Sequence, residues 1–239
     1  MLRCYLVFIL FLNLNSVVAQ TKSVEHQDLL WTRYLVNFEV DEKWTPFLDV
    51  EERMYMFPFR QHQFLPSIGV NYQLNSGFSL TPALLYFEMI TPQDPDAITK
   101  AIQREWRPQL ALNFKHNITS TRLTFLSRFK SELRFKKRST ENDYKYRLLR
   151  LRMRMGLSYQ INEKYTAKVL EEILINAGDQ LVYNVFDQNR LSAEIAYQLS
   201  PKFKFITGYM YWFQQRASGV DFFSRDIIYF TLKHNLKLY

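Results

Sequence analysis

The chain has six glycines and one cysteine, Cys4, among 239 residues. So few glycines leave little material for the loops that cradle phosphates. Past the first twenty residues no stretch of roughly eighteen apolar residues occurs, which excludes a transmembrane helix. His26, His62, His116 and His234 are too dispersed to argue a metal site. None has a serine two residues on, the spacing that lets a histidine act as base for a serine nucleophile. Ser120 follows His116 by four residues, but across a turn. Neither a Gly-x-Ser-x-Gly elbow nor a His-Glu-x-x-His pair is present. No catalytic residue, metal or cofactor is therefore expected. Disorder is excluded as well, because 47% of the residues are hydrophobic and 16% aromatic.

What is present begins with a leader. Arg3, the apolar run from Cys4 to Leu12, and Val17-Val18-Ala19 have the order of a secretory signal peptide. Cleavage after Ala19 makes 1–19 the signal and 20–239 a single mature domain. The mature chain then has no cysteine and forms no disulfide. The formal net charge of +8 falls by one with the loss of Arg3.

The mature chain alternates. Leu123, Phe125, Phe129, Leu133 and Phe135 interleave with Arg122, Arg128, Lys130, Glu132 and Arg134. Successive strand residues point to opposite faces, so one face is apolar and the other charged. The same holds where Leu48, Val50 and Met54 oppose Asp49, Glu51 and Arg53. It holds where Trp106, Leu110 and Leu112 oppose Glu105, Arg107 and Gln109. It holds again where Leu149 to Tyr159 oppose Arg150, Arg152 and Arg154, and where Leu191 to Leu199 oppose Arg190, Ser192 and Glu194. Short polar turns (Asp41 to Lys43, Asn75 to Gly77, Ser200 to Lys202) alternate with longer stretches such as Thr91 to Arg104, which has room for a helical turn at Asp96 to Gln103.

Segments of this length exceed the usual soluble strand of about 5–6 residues and suit a tilted bilayer-spanning strand of about 9–11. In lipid a closed sheet satisfies every backbone group, and its charged face must then line the lumen. The expected fold is all-β, an antiparallel up-and-down transmembrane β-barrel of about 10–12 strands. Eleven segments alternate. Bacterial single-chain barrels have even strand numbers, so ten or twelve is favoured, a short strand between Thr21 and Leu30 being one way to complete the set. Trp31, Trp44, Trp106, Tyr144, Tyr159, Tyr165 and Trp212 are candidates for interfacial girdles. Pro46, Pro66, Pro82 and Pro108 count against this reading, because proline removes a ladder donor and belongs at strand ends or bulges.

The chain resembles an uncharacterised Gram-negative family, domain-of-unknown-function family 2490. The likeness is carried by Leu30-Trp31, Lys43-Trp44 with Glu51 to Arg53, Glu105 to Gln109 (EWRPQ), Arg128 to Phe135 (RFKSELRF), Glu171-Glu172, Asp187 to Arg190 (DQNR) and Gly208-Tyr209. It spans nearly the whole mature chain. The resemblance implies an outer-membrane barrel and transfers no catalytic residue.

The residues that carry chemistry face inward. Arg53, Arg107, Arg128, Arg134, Arg150, Arg152, Arg154 and Arg190 are candidates for a lumenal anion site, since guanidinium forks hold carboxylate or phosphate bidentately. Glu51, Glu105, Glu132, Glu172 and Glu194 are their carboxylate partners, and full mutual pairing would instead make a self-neutralising plug. If the neighbouring strands supply Arg150, Arg152 and Arg154 with Glu132 and Glu172 alone, the lumen stays positive. The expectation is an outer-membrane barrel, either structural or a narrow binder or passage for an anionic solute. Alternatives are a barrel enzyme acting on lipid or lipopolysaccharide and a soluble exported ligand-binding barrel. Partners are outer-membrane lipid or lipopolysaccharide and a small anionic solute. Nucleic acid is set aside, because the aromatics lie opposite the cations on the pleat.

Overall fold

The computed structural model describes residues 22–119, 121–137, 141–179, 181 and 183–239. The expected signal peptide lies outside them. Among the described residues there is no helix, and eleven strands close into a barrel. They are β1 (Ser23–Glu39), β2 (Trp44–Tyr55), β3 (Arg60–Gln73), β4 (Phe78–Thr91), β5 (Ala101–Asn117) and β6 (Leu123–Lys137). The remainder are β7 (Lys145–Gln160), β8 (Tyr165–Ala177), β9 (Phe186–Gln198), β10 (Phe203–Gln215) and β11 (Asp221–Lys237).

Each strand pairs antiparallel with the next in sequence, but the barrel closes through a parallel pair. β1 and β11 run side by side from Ser23 opposite Asp221 to Glu39 opposite Lys237. The preference for an even count is thereby corrected. The stretch before Leu30 adds no separate strand; it is the first half of β1. The number of described strands is odd, so residue 22 and residue 239 lie at opposite rims.

Local chemistry sets the two rims apart. At one rim, Asp41 Oδ1 accepts the amides of Lys43 and Trp44 at 2.7 Å each. Asn162 Oδ1 accepts those of Lys164 and Tyr165 at 2.9 Å, and Asn75 Oδ1 those of Gly77 and Phe78 at 3.1 Å. Each side chain replaces a backbone acceptor and closes a tight turn. The opposite rim carries the longer connections, 92–100, 138–144 and 178–185. The helical turn expected at Asp96 to Gln103 does not form. Ile102 and Gln103 pair with Ile90 and Met89, so the β4–β5 ladder takes that segment.

Most outward residues are apolar: Leu48, Ile68, Leu110, Phe129, Met153, Val169, Ile173, Leu191 and Ile195 are all exposed, with Glu171 and Asn189 among the exceptions. Pro46, Pro66, Pro82 and Pro108 stand within β2 to β5 rather than at strand ends. Aromatic pairs form two belts on this wall. Trp44–Tyr72 (4.5 Å), Phe78–Phe114 (4.6 Å) and Tyr165–Tyr197 (4.8 Å) lie toward the short-turn rim. Tyr86–Trp106 (4.9 Å) and Phe135–Tyr146 (5.7 Å) lie toward the other. Phe78 to Tyr86 covers about 27 Å of strand. At a tilt of ~40° that is about 20 Å of height, near the apolar band of a membrane barrel. Trp31 and Trp212 leave the expected girdle: they are 6% and 2% exposed and face inward. With β1 starting at Ser23, Trp31 is mid-strand.

Candidate functional site

The lumen has two unlike walls. Strands β1, β2, β10 and β11 contribute an apolar cluster of Leu29, Trp31, Tyr55, Trp212, Ile227 and Tyr229. Strands β5 to β9 contribute most of the cations, with Arg33, Arg53, Arg225 and Lys233 coming from the other side. Between the walls lies a cavity of about 890 Å³. Its lining reaches from Asn37, Asn113 and Lys233 near the short-turn rim to Gln93, Asn184 and Ala217 at the long-loop rim.

The structure places each sequence-predicted arginine and glutamate on the inward face. Glu105, fully buried, gathers Arg107 (2.8 Å), Arg134 (bidentate, 2.8 and 2.9 Å) and Lys136 (3.4 Å). Arg152 bridges two carboxylates, reaching Glu132 at 2.7 Å and Glu172 at 2.7 Å. Glu172 also takes Arg128 at 2.5 Å, and Arg190 stands 3.9 Å away. Arg53 pairs with Glu51 at 2.5 Å and donates to Gln63. Glu194 pairs with Lys168 at 2.7 Å and accepts from the Tyr229 hydroxyl at 3.0 Å. Arg154 alone of these arginines and glutamates has neither an ion pair nor a hydrogen bond among the described residues.

Several lumen residues escaped the sequence reading. Asp187 pairs with Arg150 at 2.9 Å. It sits where a bulge shifts the β8–β9 register at Leu174/Ile175, so both Asp187 and Gln188 are buried and the alternation that finds inward residues breaks there. Arg33 forks onto Asp49 at 2.7 Å through two nitrogens. Arg225 is fully buried without a carboxylate: Gln27, Gln93 and Gln214 accept from it at 2.8, 2.9 and 2.6 Å. Its strand begins seven residues before the alternation at Ile228 becomes legible.

Like charges also meet across the pleat. Lys204 lies opposite Lys233, and Arg128 opposite Arg154. Lys204 and Lys233 have no ion-pair partner among the described residues. Such cross-strand pairs are destabilising unless something compensates them.

No histidine is hydrogen-bonded to a serine among the described residues, although His26 lies opposite Ser224 in the β1–β11 register. His62 is buried, stacks on Tyr55 (4.5 Å) and contacts Gln63 (3.3 Å). His234 meets the Tyr34 hydroxyl at 3.0 Å. His26 lies 3.4 Å from both Asp28 and Asp226, an exposed trio on the outer wall.

The family model described as protein of unknown function (DUF2490) matches residues 29–223. The chain belongs to the DUF2490 family. The match takes in the whole charged wall of this DUF2490 barrel, whereas Arg225, Tyr229 and Lys233 lie beyond it. Among solved structures, the chain is similar to one described as "NanC porin structure in rhombohedral crystal form". Identity is 14%, the TM-score is 0.48, and 81% of this chain and 91% of that chain are covered. No curated protein matches.

Proposed function

We propose that this protein is a barrel of the Gram-negative outer membrane whose lumen binds and passes a small anionic solute. The apolar wall and its two aromatic belts support the membrane location, since charge on a lipid-facing wall is costly and here turns inward. The cavity reaching both rims supports passage.

One observation carries the choice of anion: the lumenal carboxylates are outnumbered. Glu105 serves three cations and Glu172 two at close range, yet Arg154 and the facing Lys204 and Lys233 have no ion pair among the described residues. A buried guanidinium without a counter-charge is costly, and an entering anion offsets that cost. The reading is non-enzymatic.

The test is the reversal potential of the reconstituted protein under a salt gradient across a planar bilayer. Anion preference that weakens in Arg154→Glu supports the proposal. Cation preference, or a protein that neither conducts nor binds anions, contradicts it.

A further inference from the structure

The cavity is lined by cations on one side and by aromatic surface on the other, and the two sides touch. The Arg53 guanidinium carbon lies 3.7 Å from the Trp31 ring centre. That of Arg190 lies 4.6 Å from Trp212 and 5.7 Å from Trp31. Trp31 and Trp212 meet edge to face at 5.7 Å. All four line the cavity, with Ile206, Met210 and Tyr229 extending the apolar side.

Two features show unused binding capacity at this junction. The indole N–H groups of Trp31 and Trp212 are buried and have no hydrogen-bond partner among the described residues. Unsatisfied donors of this kind are rare in native proteins and call for an explanation. The guanidinium groups are only partly engaged. Arg53 donates from Nε and Nη1 to Glu51 and Gln63, and Arg190 from Nε and Nη2 to Gln188. Arg53 Nη2 therefore remains without a hydrogen bond among the described residues, and Arg190 Nη1 has only the 3.9 Å ion pair to Glu172.

A bare inorganic anion would use the guanidinium groups and gain nothing from the aromatic wall. A ligand with both characters uses both, as in most small-molecule sites, where apolar lining supplies area and a few polar groups fix orientation. We propose that the solute is an organic anion, a carboxylate or phosphate head on a ring-shaped or apolar body. Arg53 and Arg190 hold the head, and the body lies against the Trp31–Trp212 wall. This rests on the anion-lumen reading and narrows it to a chemical class.

The experiment is a tryptophan fluorescence titration of the full barrel in detergent. Trp44→Phe and Trp106→Phe remove the two outer-wall indoles, leaving Trp31 and Trp212 as the reporters. Probes are phenyl phosphate against inorganic phosphate, benzoate against acetate, and benzyl alcohol as the uncharged control. The expected result is a saturable change with phenyl phosphate and benzoate, at least about tenfold tighter than with their small counterparts or the alcohol, lost in Arg190→Gln. In the unmutated protein, block of bilayer conductance should follow the same order. Equal affinities for phenyl and inorganic phosphate, or no saturable change with any probe, overturn the inference. Reversal potentials on the same preparation show which reading failed: anion preference retained means that only the organic class is wrong.

Discussion

Arg154 stands directly across the β7–β8 pair from Glu172, yet Glu172 gives its carboxylate oxygens to Arg152 and Arg128. The nearest carboxylate in register is thus already taken, and β7 carries a cation that its neighbours do not neutralise. Of the arginines on that strand, Arg147 has Glu141, Arg150 has Asp187, Arg152 has Glu132 and Glu172, and Arg154 has no ion pair among the described residues.

Two substitutions on β7 should therefore diverge. Arg152→Ala leaves Glu132 and Glu172 buried with a lost partner and should cost about 3–5 kcal/mol, the usual penalty for breaking a buried pair. Arg154→Gln removes a charge with no ion pair among the described residues and should be neutral or stabilising, within about 1 kcal/mol. Urea unfolding of the barrel refolded into lipid vesicles measures both, and equal destabilisation would show that Arg154 is paired after all.

Tyr229 crosses over Gly208 to reach Glu194. Gly208 faces Tyr229 on β11 and Glu194 on β9. A Cβ at Gly208 would lie 2.5 Å from the Ala193 carbonyl oxygen and 2.6 Å from the Tyr229 ring. Gly208→Ala should cost about 1–3 kcal/mol through overpacking. Tyr229→Phe removes one hydrogen bond to a charged acceptor, Glu194 keeping Lys168 as its partner, and should cost about 1.5–3 kcal/mol. The same urea titration reads both. An undisturbed Gly208→Ala would mean that the β10–β11 contact is looser than the coordinates show.

Residues 22 and 239 lie at opposite rims because β1 and β11 run parallel. Outer-membrane barrels place short turns in the periplasm and long loops outside. An epitope inserted between Asp96 and Ala97 should be reached by antibody on intact cells, and one appended after Tyr239 only once the outer membrane is permeabilised. An epitope inserted after Lys22 should behave like the loop insertion. Finding the Lys22 and Tyr239 epitopes on the same side would contradict the parallel closure.

The architecture was legible because a pleat has a period of two. Leu110 or Phe129 against Arg107 or Arg128 tells inside from outside without any knowledge of partners. Legibility failed where that period breaks or where the relationship is remote. The bulge at Leu174/Ile175 hid Asp187. The polar opening of β1 concealed its true start, so Trp31 passed for a strand-end aromatic and the closing pair went unseen. Arg225 meets Gln93 across 132 residues of sequence, and no local pattern announces such a contact. Which carboxylate serves which arginine also stayed hidden, because alternation assigns a face and leaves the height to strand register.

The account stands most directly on the two faces of β6. With its only cysteine in the expected leader, the mature chain takes single cysteines at Arg128, Phe129, Lys130 and Ser131 without competing thiols. Reconstituted in vesicles, positions 128 and 130 should react with a water-soluble thiol reagent, faster when the reagent is anionic than when it is cationic. A fluorophore at 129 or 131 should instead be quenched by nitroxide-bearing lipid. Lipid quenching at 128 and 130 with aqueous labelling at 129 and 131, or a cationic reagent winning inside, would contradict a lipid-facing wall around a cationic lumen.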